Sequence, residues 1–548
     1  LLRWNRYYEI NLDLADSYEV TPDGRKYTFH LHRGVTWHDG KPLTSRDVKF
    51  TYEVMTGRRK DIFPGGTPTE IFFRDLSSIE TPDDYTVVFN FNKLALPSIF
   101  VPTQADSYIM PKHIYDVGTP IKDNPANLKP IGSGPFKLQE YVMNDYVVLL
   151  ANENFFRGRP NLDKIIFKIY PKATTALIAL EKGEIDNICQ GLIVPLSELP
   201  RLRADPKYGV QAIDHIVVWR LLFNQRIEAV TKHPWIADLR VRKAFAHAID
   251  IPAIVKMVLF DATHQSWGPI TNVVKWAHNP NLPKIPYDPK EAERLLDEAG
   301  YRKGSDGVRF RAKLPYTTQE AYSDQALEAI KGMLSKVGIE IELIPTEKTI
   351  WLNTYWYAPD GFKDYPVSLV KGATGPDPLQ MHTLYHSEMT PDKGGMNGMW
   401  YKNPKVDELL DKAASTVDQN KRRDYYYQIA DMLLVDLPCI WLWNDFKVEV
   451  WDANEFSGFT EDFSICAPIH FQATYENIWW KKGKVEVTTT ATSPTKPTMT
   501  SAETTVAAPT LISGPTLYAI LAVAILLIVA IPLYRYTKRK ASKTARTP

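Results

Sequence analysis

The sequence predicts an α/β protein of several lobes, tethered through a polar stalk to one C-terminal transmembrane helix. Three observations carry that reading. The body, roughly residues 1–483, is too long for one hydrophobic core and is expected to divide. Along it, period-two apolar alternation and amphipathic helical stretches interleave without a fixed repeat. Near the end, Leu517–Leu533 (LYAILAVAILLIVAIPL) runs apolar without a break.

The elements follow in order. Lys26–His32 alternates Tyr27, Phe29 and Leu31 against polar neighbours and reads as a half-buried strand. Asp39-Gly40 signals a turn. Thr44-Ser45-Arg46-Asp47 resembles a capping box and opens a helix through Val54. Tyr85–Phe91 is a second strand. Ala173–Lys182 is a helix stopped by Gly183, and Leu239–Ile249 is another. Asp288-Pro289 with Glu291 starts a helix that runs to Ala299, with Gly300 as its stop. Ala321–Val337 repeats that plan, followed by Gly338 and the strand Ile339–Ile344. Asn403-Pro404 opens Lys405–Ala414, and Asn420–Leu434 leads into the apolar run Cys439–Trp443.

The apolar segment at 516–534 spans a hydrocarbon core of about 30 Å at 1.5 Å rise per residue. Arg535, Lys538, Arg539, Lys540, Lys543 and Arg546 follow it and mark residues 535–548 as a cytoplasmic tail. The large N-terminal body is therefore expected outside the cell. Residues 484–515, rich in Thr, Ser, Ala and Pro, lack the large apolar side chains needed for a core and read as a spacer. The chain opens Leu1-Leu2-Arg3-Trp4 with no export signal, so residues 1–12 are expected to be the remnant of a longer N-terminal segment.

A net charge of +1 removes the broad basic surface that nucleic-acid binding needs. Cys189, Cys439 and Cys466 form no CxxC, and no HExxH occurs, so no metal or cofactor is expected. Burial as small apolar side chains is the expected fate of all three cysteines.

Several stretches resemble family 5 extracellular solute-binding proteins, the oligopeptide- and nickel-type receptors of ABC importers. They are Leu14–Val20 through Thr28–Thr44 with Asp47-Val48, Ile131-Gly132-Ser133-Gly134-Pro135-Phe136, Leu239–Phe245, Tyr287-Asp288-Pro289 with Glu298–Tyr301, and Pro376-Asp377-Pro378. The resemblance implies a two-lobed periplasmic-binding-protein-like fold of type II, in the large oligopeptide-receptor class with an extra subdomain. By that analogy 13–130 is the subdomain, 131–222 with 446–483 the first lobe, and 223–445 the second. It further implies an ABC permease and ATPase as partners and a non-enzymatic role. The C-terminal tether is the form expected of an archaeal receptor. Within the motifs, Trp37-His38-Asp39-Gly40 is expected to be a packing and turn unit, and Gly132-Ser133-Gly134 a tight backbone path.

The ligand is less plainly written. Where peptide receptors of the family carry an Asp for the ligand's ammonium, four residues before Pro378, this chain has Thr374, and Lys371 stands where a Trp is usual. A hydroxyl does not neutralise an ammonium. Sugars, which stack on aromatic rings, therefore come slightly ahead of peptides. The ligand-binding residues expected are Trp219, Trp267 and Trp356, with Thr374 as a polar contact. A surface-anchored hydrolase is the alternative class, and no catalytic motif supports it.

Overall fold

The structure is a computed structural model that describes residues 1–4, 9–64, 70, 73–101, 108–188, 194–318, 321–352, 354, 363–393, 395–457 and 479–480. The chain divides into two units, Leu1–Trp479 and Trp480–Pro548. The stalk at 484–515, the apolar span at 516–534, the basic tail at 535–548, Trp356, Cys189 and Cys466 all lie outside the described residues. Among the described residues no helix is long and apolar enough to cross a membrane.

The first unit begins with a hairpin, β1 (Leu2–Trp4) and β2 (Ile10–Leu12). There follow β3 (Ala15–Val20), β4 (Lys26–Leu31), α1 (Ser45–Met55), β5 (Leu76–Asp83) and β6 (Thr86–Phe91). The four strands form an antiparallel sheet in the order β3-β4-β6-β5. The alternation read from Tyr27, Phe29 and Leu31 buries all three, with Tyr27 and Phe29 against Phe100, Phe29 against Phe89, and Tyr52 on the Phe89 ring in an aromatic core. The capping box forms as expected, with the Thr44 backbone N–H donating to Asp47 Oδ2 at 2.9 Å.

The two glycine-bearing motifs of the sequence meet each other. His38 N–H donates to the Gly132 carbonyl at 2.8 Å, Gly132 N–H donates to His38 Nδ1 at 3.2 Å, and His38 Nε2 lies 3.0 Å from the Gly134 carbonyl. With Trp37 buried beside them, the motif is the packing and turn unit expected. A short helix α2 (Lys112–Tyr115) closes this region.

The next segment carries the meander β7 (Phe136–Val142), β8 (Tyr146–Ala151) and β9 (Lys164–Lys168). Helix α3 (Ala173–Glu181), strand β10 (Asn187–Ile188) and helix α4 (Leu199–Ala204) lead into β11 (Tyr208–Phe223), a strand of 16 residues that short-range patterning did not reveal. Helices α5 (Ile227–Lys232), α6 (Leu239–Ala248), α7 (Ile251–Met257) and α8 (Pro289–Glu298) come next, with Asp288 capping α8 through the Lys290 and Glu291 N–H groups. Strand β12 (Phe310–Thr317), helix α9 (Ala321–Lys336) and strand β13 (Ile339–Thr346) form a strand–helix–strand unit in which β12 and β13 pair in parallel. Helix α10 (Lys348–Trp351), strand β14 (Val367–Ala373), helices α11 (Gln380–Tyr385), α12 (Pro404–Ala414) and α13 (Gln419–Asp436), and strand β15 (Cys439–Asp452) complete the unit.

A four-stranded sheet in the order β10-β15-β11-β14 ties the body together. The lobe boundaries expected at 222/223 and 445/446 fall at the end of β11 and within β15. Cys439 is a free thiol, and burial pushes its pKa up to about 12, which suits a packing role.

Candidate functional site

The long strands β11 and β15 run antiparallel from Tyr208↔Asp452 to Leu222↔Cys439, but their register breaks between Asp214 and Val218. On β15 that break spans Asn444 to Phe446, so Asp445 sits at the discontinuity, where strict strand pairing gives way. A break in a ladder frees local backbone and re-aims side chains. Here it collects charge.

Asp445 is 5% exposed. Its Oδ1 accepts from Trp219 Nε1 at 3.0 Å and from the Tyr322 hydroxyl at 3.0 Å, while Lys371 Nζ stands 3.7 Å from Oδ2. Burial disfavours the carboxylate, yet Lys371 and Lys447, with the Trp219 hydrogen bond, hold it below the usual range. Burial also pushes His215 down to about 4, against the opposing pull of Asp445. The centre is therefore a fixed anion with neutral His215 beside it and Lys371 as its cation. Nearby, Asp214 accepts from Thr263 Oγ1 at 2.7 Å and Asn444 Nδ2 at 3.0 Å, and its contact at 2.9 Å with His264 raises that imidazole's pKa.

Lys371 and Thr374 come from β14 and the loop after it. Among the described residues β14 ladders with β11 alone, and β12 packs against it, with Ser368 Oγ donating to the Pro315 carbonyl at 2.9 Å. Lys371 faces Trp219 across the ladder, its ammonium 5.2 Å from the ring centroid. Thr374 is 1% exposed, and its Oγ1 has no hydrogen-bond partner among the described residues. The loop then turns at Gly375, whose φ of +85° and 2.7 Å approach of a Cβ to the Asp377 carbonyl leave room only for glycine. Asp377 does not face the site. It is clamped by Arg422, whose Nη1 donates to Oδ2 at 2.9 Å and whose Nη2 donates to Oδ1. The Pro376-Asp377-Pro378 motif thus anchors the loop that presents Thr374.

The sequence-derived residues fare differently. Trp219 lies at the heart of the centre, 3% exposed, stacked on Trp443 with centroids 6.0 Å apart. Thr374 lies at the end of the strand that carries Lys371. Trp267 is elsewhere, half-buried in a small apolar pocket with Ile285, Leu437 and Trp441, with Lys284 over its ring at 5.1 Å. Trp356 is outside the described residues. Sequence reasoning missed Asp445, Tyr322 and His215. Asp445 lies two residues past the apolar run Cys439–Trp443, and the only signal for it was an acid set between that run and Phe446; Trp443 and Phe446 are both fully buried.

Comparison with known proteins agrees with this architecture. A model of the bacterial extracellular solute-binding proteins, family 5 middle, matches residues 9–392. A putative ABC transporter peptide-binding protein of Brucella ovis is 33% identical over 442 residues, covering 79% of this chain and 78% of that protein. The oligopeptide-binding protein AppA of Bacillus subtilis is 29% identical over 465 residues, 81% of this chain and 80% of AppA. The solved structure of AppA with a nonapeptide superposes with a TM-score of 0.64 at 26% identity, covering 88% and 92% of the two chains. The fold is thus the two-lobed one of periplasmic binding proteins. The chain belongs to the family 5 extracellular solute-binding proteins.

Proposed function

We propose that this chain is the ligand receptor of an ABC importer and that its ligand is an oligopeptide, whose carboxylate faces Lys371. The observation that carries this reading is the Lys371–Asp445 centre beside the edge strand β14. Asp445 is sealed, whereas the Lys371 side chain is 33% exposed, so an anionic group reaches the lysine and not the aspartate. Past Ser368, whose hydroxyl donates to the Pro315 carbonyl of β12 at 2.9 Å, an extended peptide can add to the end of β14 through main-chain hydrogen bonds that are indifferent to side-chain identity. Thr374, with its buried unpartnered hydroxyl, offers a further polar contact at the end of that edge. The relatives named above as peptide-binding proteins point the same way.

The oligosaccharide expectation rested on open aromatic faces, because sugars stack on rings. Trp219 has Trp443 and Lys371 against it, and Trp267 carries Lys284 over its ring. Peptide therefore stands ahead of sugar, reversing the order drawn from sequence. Membership in a family of binding proteins supports binding without turnover.

In this account the lobes close by bending where the β11–β15 register breaks, and the closed form delivers its ligand to a permease and ATPase. The apolar span at 516–534 and the basic tail hold the receptor at the outer face of the membrane, at high effective concentration for that permease. Removing everything after Lys482 is then expected to leave affinity unchanged and abolish uptake by cells. Unimpaired uptake by the truncated chain sinks the anchor.

Calorimetric titration of the full chain tests the ligand class. Tri- to pentapeptides are expected to bind with a Kd in the micromolar range or tighter, on the order of −8 kcal/mol, while cello-, malto- and xylo-oligosaccharides give no heat. Sugar binding without peptide binding overturns the reading.

A further inference from the structure

Away from the charge centre, helices α11 and α12 bring two imidazoles and a carboxylate to one point. His382 lies on α11 and His386 is the residue that ends it, four positions on, so both rings project from one face. The rings stack with centroids 4.4 Å apart and planes 22° from parallel. Asp411 of α12 reaches both: its Oδ1 is 3.1 Å from His382 Nε2 and 3.7 Å from His386 Nε2. The three ligand atoms lie within 4.8 Å of one another.

We propose that His382, His386 and Asp411 bind a divalent transition ion of the zinc class, which pins α11 to α12. Ligand atoms held about 2.1 Å from a tetrahedral ion sit roughly 3.4 Å apart, and the two nitrogen-to-oxygen distances fall on either side of that value. Two imidazoles and one carboxylate suit zinc, and the exposed side of Asp411 leaves a fourth position open to water. A second carboxylate stands behind the first set. Asp407, one turn before Asp411, is fixed by the Ser387 backbone N–H at 2.9 Å and lies 4.0 Å from His386 Nδ1.

Coordination requires one rearrangement. His386 Nδ1 now accepts from the Glu388 N–H at 3.1 Å, which places the ring proton on Nε2. An ion on Nε2 moves that proton to Nδ1, where the Asp407 carboxylate replaces the Glu388 amide as partner. A carboxylate on the far nitrogen of a ligating histidine orients the ring and raises its basicity. The consequence reaches the loop at Thr374–Pro378, because α11 starts two residues after Pro378.

The test is equilibrium dialysis of EDTA-washed, tag-free full-length protein against zinc chloride, read by elemental analysis. One zinc per chain is expected, with affinity falling at least tenfold in His382→Ala/His386→Ala and in Asp411→Asn, and about tenfold in Asp407→Asn. Zinc is also expected to raise the melting temperature of the wild type and not of Asp411→Asn. That last variant changes a surface residue, so a loss of binding there is not a folding defect. Absence of zinc from the wild type, or unchanged affinity in either the double histidine variant or Asp411→Asn, overturns the assignment.

Discussion

At the residue scale, burial decides which charges in the centre are available. His215 and Asp445 share one desolvated site, and burial acts on them in the same sense, disfavouring the charged form of each. The lysines rescue the aspartate as an anion and leave the histidine neutral. This has a pH signature with a definite sign. The folded pKa of His215, about 4, lies below its ordinary 6.5, so between those values the unfolded chain takes up a proton that the folded chain refuses. The stabilisation is complete above 6.5 and is lost as pH falls toward 4, reaching on the order of 3 kcal/mol. Urea unfolding at pH 7 and pH 4.5 is expected to show that loss, and His215→Gln is expected to flatten its part of the slope. An identical slope in the variant contradicts the assignment. Little of this was legible beforehand, because His215 and Asp445 are 230 residues apart and only the register break between β11 and β15 brings them together. Lys371 stands out in the sequence only as a replacement for the family's usual Trp, and nothing there points to its partner Asp445.

At the scale of elements, local signals were read well where the cause is local. Asp288 and Asn403 cap their helices, Gly300 and Gly338 take positive φ at helix ends, and the Thr44 box closes as the spacing requires. The long strands were not legible, since β11 and β15 are buried on both faces at their inner ends and lose the alternation that marks a half-exposed strand. The His-x3-His spacing of 382 and 386 was in the sequence as well, but it becomes a ligand set only when α12 supplies Asp411. Strand β14 gives an element-scale prediction. The Arg220 guanidinium lies over Gly372, where an added Cβ would come within 2.0 Å of Nη2. Gly372→Ala must therefore push Arg220 off the Tyr385 hydroxyl, which it now reaches at 3.1 Å. Overpacking of this kind costs about 1–3 kcal/mol. A shift of the urea midpoint to lower concentration with an unchanged slope is the expected result, and an unshifted midpoint means the arginine has another seat.

For the whole molecule, the family could be recognised from five short stretches in order, but the ligand could not. The motifs that identify the family do structural work: Trp37-His38-Asp39-Gly40 binds the Gly132–Gly134 path, and Asp377 is held by Arg422. The residues proposed to face the ligand are those that depart from the family pattern, Lys371 and Thr374, and their meaning depends on Asp445, which Lys371 pairs with. On the proposed reading, a lysine at this place selects the acidic end of the ligand. The most direct test titrates one tetrapeptide, as the free acid and as its C-terminal amide, against the wild type and Lys371→Met. The wild type is expected to prefer the acid at least tenfold, about 1.4 kcal/mol, and the variant to bind both forms alike. Equal binding of acid and amide by the wild type would contradict the account.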